Sequence, residues 1–300
     1  MDMTQNKCCR HGASLRRRRR RRRKILRSII FSCSIIAVAV FVAVGSRMIT
    51  SGDGGTNKYD VEAGNNTYDN AVIENSKISE NNNIQNNQSM LDDIMNSTQY
   101  PKQLQELALK NEEALEFVYD YPAEHVKEHT IDLTEEASMD SVPLLVQWDK
   151  RWGYEKYSGN FFAASGCGPT TLSMVVVYLT HNRDASPLAV AKYSKEAGYS
   201  VDGSGSSWTL ISEGCRHYGV KAKTVALDES RMKAELDAGH PIVINVGPGD
   251  FTDTGHFMVI TGYDDEGFSI NDPNSIEKSG KRWLFKNISS QIRAVWSMYV

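Results

Sequence analysis

The residues of this chain best suited to covalent chemistry are one cysteine and a few histidines, acids and amides downstream of it. Cys167 lies in Ser165-Gly166-Cys167-Gly168-Pro169-Thr170-Thr171, just ahead of a largely apolar run from Leu172 to Leu179. Proline is tolerated in the first turn of a helix, where its missing N–H would be unpaired anyway. The stretch therefore predicts a loop that delivers a thiol to a helix entry. Free N–H groups and the positive end of the helix dipole favour thiolate over thiol there. A packed, inert cysteine at a helix entry would have the same local sequence, so the partners decide.

A thiol hydrolase needs a base that activates the sulfur and protonates the leaving group, an orienter for that base, and donors for the oxyanion. The C-terminal half offers His181, His217, His240 and His256. His256 begins the apolar run His256-Phe257-Met258-Val259-Ile260, directly after the glycine-rich stretch Gly247 to Gly255. A strand start beside a mobile loop sets an imidazole at a cleft rim on a rigid support. His181 and His217 fall at predicted helix ends, where a cation suits the dipole, and His240 precedes Pro241 as a turn residue. Asp272, in Asn271-Asp272-Pro273-Asn274, ends the next strand, and a hairpin would bring it to His256; an ordinary Asp-Pro turn is the alternative. Gln147 lies upstream on a strand-to-loop edge, where its amide could join the Cys167 N–H as an oxyanion donor. Asp149 is a rival polar group in the same loop.

Of five cysteines, Cys167 and Cys215 lie in the C-terminal body, which is no disulfide framework. Pairing those two would leave no free nucleophile, and Cys215 reads as a packed helix residue. His125 and His129 stand one helical turn apart, but no third ligand is evident. The reading calls for no metal and no cofactor.

The elements that must position these groups follow from pattern. Val142 to Val146 reads as a short strand. Helices are expected from Cys167 to about Thr180, from Ser186-Pro187 to Ala197 with Gly198 as stop, from Ser207 to Tyr218, and from an Asp228 cap to Gly239. Val220 to Leu227 reads as a strand. From Pro241 onward short β-rich runs alternate with Gly and Asp turns. Helices followed by an antiparallel sheet is the α+β pattern.

The rest of the chain is organised by charge. Residues 1–50 carry 13 Lys and Arg against one acid, and residues 51–140 carry 5 against 19. An unbroken run of eight arginines, Arg16 to Arg23, abuts the uncharged stretch Ser28 to Val44. Those seventeen residues would rise about 25 Å as a helix, the short end of what spans a bilayer core. The expected organisation is a basic cytoplasmic tail at 1–24, a transmembrane signal anchor at 25–46, a disordered Asn-rich acidic linker at 47–100, a helical pre-segment at 101–140 and the compact domain at 141–300. Arginines stay on the cytoplasmic side, so the domain would lie outside the cell membrane. The alternative is secretion after signal cleavage. A nucleic-acid partner is not expected, because nothing downstream extends the basic surface.

Four stretches together carry a family resemblance: Val142 to Gly153, Ser165 to Thr171, Gly247 to Phe257, and Asn271 to Ser275. The chain from about Val142 to Val300 resembles the papain-like cysteine peptidases of the C39, bacteriocin-processing type, in their stand-alone C39-like branch. The resemblance implies a papain-like fold, with N-terminal helices packed on an antiparallel sheet. It implies Cys167 as nucleophile, His256 as general base and acid, Asp272 as orienter and Gln147 as oxyanion donor, acting on a peptide or protein substrate. The helix at Pro101 to Tyr119 also looks like a segment that often precedes this domain in Gram-positive homologues. The best-known members are fused to a transporter and cut leader peptides in the cytoplasm. This chain has no Walker motif and an outward-facing domain is expected, so that role does not carry over. The same thiol chemistry would serve a cell-wall amidase or transpeptidase, and the same fold a non-catalytic peptide-binding module.

Overall fold

The structure, a computed structural model, describes residues 83–300. The expected basic tail at 1–24, the expected membrane anchor at 25–46 and the first part of the expected linker lie outside the described residues. Among the described residues no helix is long and apolar enough to cross a membrane.

The longer helices are α1 at 83–96, α2 at Lys102–Lys110, α3 at Cys167–Thr180, α4 at Pro187–Glu196 and α5 at Glu229–Asp237. The strands are β1 (Lys156–Tyr157), β2 (Asn160–Phe161), β3 (Ser200–Val201), β4 (Gly205–Ser206), β5 (Lys221–Thr224), β6 (Ile242–Val246), β7 (His256–Asp264), β8 (Gly267–Asn271), β9 (Arg282–Trp283) and β10 (Ile292–Tyr299). Six of them form one antiparallel sheet in the order β5-β10-β6-β7-β8-β9. Helices precede and cover this sheet, as the α+β pattern requires.

Side chains alternate across a strand, and the central strands use both faces. Val243, Phe257, Val259, Trp296 and Met298 face the core that holds α3. Ile242, Ile244, Met258, Ile260 and Ile270 face a second core with Met232 of α5. This explains why β6 is buried at every position. Helix α3 is buried from Gly168 through Val177, because the sheet lies on one side and Val190 and Ala191 of α4 on another. A helix apolar all round belongs in such a place. Each fully buried Leu, Val or Met side chain there contributes roughly 1.5–3 kcal/mol. Its hydroxyls are satisfied: Thr170 donates to the Gly166 carbonyl, Thr171 to Phe257 and Ser173 to Ala185. The Thr171 bond ties the helix that begins at Cys167 to β7.

The predicted caps act as caps. Ser186 accepts from the Ala189 N–H and Asp228 from the Arg231 N–H, and Gly198 follows α4 at positive φ. The expected helix from Ser207 to Tyr218 instead splits into a short helix at Thr209–Ser212 and a 3-10 turn at Gly214–Tyr218. Val142 to Val146 forms no strand. Asn271 donates its side-chain amide to the carbonyls of Val142 and Pro143, satisfying them without a strand ladder.

The linker expected to run to residue 100 gives way earlier, to α1. Its Met90, Leu91 and Ile94 share a helical face and join Leu104, Leu107, Phe117 and Val118 in a third core. Ile94 is wholly buried, and Gln105 closes the end of α1 by donating to the Ile94 carbonyl. Helix α2 is also shorter than the Pro101 to Tyr119 stretch suggested. Asn111 turns out of it and caps a 3-10 turn, Glu112–Ala114, that leads into a short helix at Leu115–Tyr119.

Candidate active site

Cys167 is the first residue of α3, and glycine flanks it because two side chains press close. A Cβ at Gly166 would lie 2.4 Å from the Phe162 ring, and one at Gly168 would lie 2.5 Å from the Ser206 hydroxyl. The helix entry is thus packed against Phe162 below and β4 beside it. In the first turn the N–H groups lack i−4 acceptors, and the Gly168 N–H is among the groups that favour the Cys167 thiolate.

His256 opens β7 and Asp272 follows β8, and the β7–β8 hairpin brings the two together. His256 Nε2–H donates to Asp272 Oδ1 at 2.7 Å, with both side chains buried. The same Oδ1 accepts the Asn274 N–H at 2.8 Å. The other ring nitrogen, Nδ1, is left for the thiol, and the Cys167 sulfur lies close enough to the His256 ring for each to shift the other's protonation. The structure therefore brings Cys167, His256 and Asp272 into one line.

The electrostatics of that line favour separated charge. Burial opposes an imidazolium at His256, but the Asp272 carboxylate beside it and the Cys167 sulfur outweigh burial and raise its pKa to about 10. Burial also pushes the Cys167 thiol up. The hydrogen bond and charge of His256, with the N–H groups of Phe257 and Gly168, more than reverse this and leave the thiol below its ordinary value. The two groups titrate as one pair, poised as thiolate and imidazolium. Cys215 is the contrast: both thiols are free, but burial raises Cys215 to about 11.

Gln147 borders the same cleft. Its backbone N–H donates to the Pro273 carbonyl at 2.7 Å, and its side-chain Nε2 donates to the Ala163 carbonyl at 2.7 Å. One amide proton has a fixed acceptor, so the second is the one that could face an oxyanion. Asp149 is occupied elsewhere, paired with Arg151. The other histidines are also engaged away from the thiol. His181 bonds the Ala137 carbonyl, His217 stacks on Tyr193, and His240 pairs with Glu235. His125 stacks on Tyr121, and His129 lies near Glu124. Among the described residues no group of three or more His, Cys, Asp or Glu is arranged to hold a metal.

The cleft encloses about 480 Å³. One wall is the loop 249–255, which the glycines led us to expect as mobile. Phe251 is buried against Trp283, and Asp250 and Gln291 exchange two hydrogen bonds, which pin the loop. His256 is correspondingly buried rather than set on a rim. The opposite wall was not anticipated: Gln103, Glu106, Lys110 and Asn111, on α2 and just after it, line the cleft that holds Cys167. An Asn or Glu on a helix leaves no sequence signal that it will meet a loop more than a hundred residues away.

The chain belongs to the Peptidase_C39 like family, whose model matches residues 139–300. Among solved structures it is similar to the peptidase domain of Streptococcus ComA, a bi-functional ABC transporter involved in quorum sensing. Identity there is 19%, over 45% of this chain and 90% of that one, with a TM-score of 0.37. It is also similar to a C39-like peptidase from Bacillus anthracis, with 18% identity over 53% and 95% of the respective chains and a TM-score of 0.33. No curated protein matches.

Proposed function

We propose that the protein is a cysteine peptidase that hydrolyses peptide bonds through a thioester acyl-enzyme. The observation that carries this reading is the line Cys167–His256–Asp272, in which the sulfur stands at a helix entry and the buried carboxylate holds Nε2 of the imidazole. In the first half-reaction the Cys167 thiolate attacks the scissile carbonyl carbon. The oxyanion takes hydrogen bonds from the Cys167 N–H and the second amide proton of Gln147. Collapse breaks the C–N bond as His256 gives its Nδ1 proton to the leaving amine. In the second, water attacks the thioester carbonyl. His256 takes one of its protons, the C–S bond breaks, and the carboxylic acid leaves. Asp272 keeps its charge throughout and holds the ring in register.

The 300-residue chain in detergent, incubated with a peptide library, is expected to release new amino termini, and Cys167→Ala is expected to release none while keeping its fold. Products formed by amide transfer to a second amine, rather than to water, would make it a transpeptidase. Peptide retention without any cleavage would make it a binding module.

We also propose that residues 25–46 anchor the chain with its arginines on the cytoplasmic side and residues 141–300 outside. The support is the eight-arginine run beside the uncharged Ser28 to Val44. Externally added protease should degrade the domain in intact cells. Its protection until lysis would reverse the orientation, and its recovery free in the medium would indicate cleavage.

A further inference from the structure

The loop that carries Asp272 is not held by the family domain alone. Asn111 Nδ2 donates to the Asn274 carbonyl at 2.9 Å and to its Oδ1 at 3.1 Å. Glu113 takes the Ser275 hydroxyl on one carboxylate oxygen. On the other it takes the N–H groups of Ile276, at 2.7 Å, and Glu277, at 3.1 Å. A carboxylate from the preceding segment thus closes the free N–H groups of the one-turn helix Ile276–Ser279, beside that helix's own cap, Ser275. The held turn is short and stiff. Ser275 N–H bonds the Asp272 carbonyl, Asp272 N–H bonds the Ser279 hydroxyl, and Asn274 N–H bonds the Asp272 carboxylate. Trp148 adds its indole N–H to the Asn274 carbonyl. A displacement of Ser275 is therefore passed to the carboxylate that orients His256.

We propose that Glu113, supported by Asn111, is a positioning residue that fixes Asp272 against His256, so that the working enzyme begins well before the matched family domain. Both residues precede residue 139, where the family match starts. They sit on the segment whose first core residues are Ile94 and Leu104, and whose α2 forms one cleft wall. Three charge-assisted hydrogen bonds converge on one carboxylate, which is the arrangement that fixes geometry most firmly. Misplacement of a reacting group by about 1 Å costs on the order of 100-fold in rate. This assignment rests on the thiol-hydrolase reading of Cys167.

The test compares wild type, E113Q and E113A in the 300-residue chain, with site-resolved iodoacetamide alkylation of Cys167 across pH and kcat/KM on a cleaved peptide. E113A is expected to lose about 10- to 100-fold in kcat with little change in KM. Its alkylation profile should lose part of its neutral-pH reactivity. E113Q keeps one acceptor oxygen and should lie between E113A and wild type. A purely structural role would lower Tm and folded yield while leaving the profile of the folded fraction unchanged, and that result overturns the assignment. Wild-type Cys167 that alkylates no faster at neutral pH than an ordinary thiol overturns the parent reading and this one with it. An activated wild-type thiol with unchanged variants overturns the positioning role alone.

Discussion

Asp272→Asn keeps the shape of the side chain and removes its charge, which isolates what the carboxylate does for the His256 ring. The two groups lie 2.7 Å apart at their nearest atoms, both buried. With their charge centres roughly 4 Å apart and an effective dielectric near 20, the attraction is about 4 kcal/mol, or about 3 pH units. That is the larger part of the rise of His256 from 6.5 to about 10; the hydrogen bond to Asp272 and the Cys167 sulfur add to it and together with it outweigh burial. The sign follows. A raised histidine contributes stability in full below its unfolded value near 6.5, and that contribution is lost as pH rises through about 10. Activity needs thiolate and imidazolium together, so its alkaline limb follows the same upper titration. In Asp272→Asn burial remains while the carboxylate is gone, and the limb should fall by about 3 units, to near neutrality. The rate at the optimum should fall by about 100- to 10,000-fold, as when a base loses its orienter. The assay is kcat/KM against pH, repeated as alkylation rate against pH, which needs no substrate. An alkaline limb that moves by less than about one unit would mean that the carboxylate is not what holds His256 charged.

Three further outcomes follow from other parts of the structure. Gln147→Ala should lower kcat by about 100- to 1,000-fold through the lost oxyanion donor, with KM nearly unchanged; an equal rise in KM would make Gln147 a ground-state contact. Gly168→Ala should reduce both folded yield and thiol reactivity, since its Cβ would lie 2.5 Å from the Ser206 hydroxyl; the double change with Ser206→Gly should recover much of both. Glu235 bonds His240, Lys223 and Ser297 and is held near pKa 2, below its usual 4.5. Its stabilisation is present above about 4.5 and is lost as pH falls toward about 2. Glu235→Gln should cost on the order of 1 kcal/mol at neutral pH, and the difference in Tm from wild type should shrink in acid.

The grouping of Cys167, His256 and Asp272 was legible because each sat at a local landmark. Gly-Cys-Gly-Pro marked a helix entry, His256 opened an apolar strand, and Asp272 closed the next, so one hairpin was enough to join them. The fold class followed from the order of periodicities, with helical stripes before short β runs. What escaped notice depends on contacts distant in sequence. Helix α1 carries one core residue, Ile94, with Met90 and Leu91 packed against the same core, in a stretch whose composition reads as solvated linker. Asn111 and Glu113 fell inside the single helix expected over Pro101 to Tyr119 and gave no signal of their own, because their partners at Asn274 and Ser275 lie over 160 positions on. Val142 to Val146 had strand composition but no strand beside it to complete a ladder, and side-chain amides took the place of one.

The central claim is that Cys167 is an activated thiol and Cys215 is not. Site-resolved alkylation of the wild-type protein by iodoacetamide measures both on one sample. Cys167 should react fast at pH 6–7, below the ordinary thiol range of about 8.5, and lose that reactivity in the Asp272→Asn variant. Cys215, buried and raised to about 11, should stay unlabelled until the protein unfolds. Equal, slow labelling of the two would contradict the account.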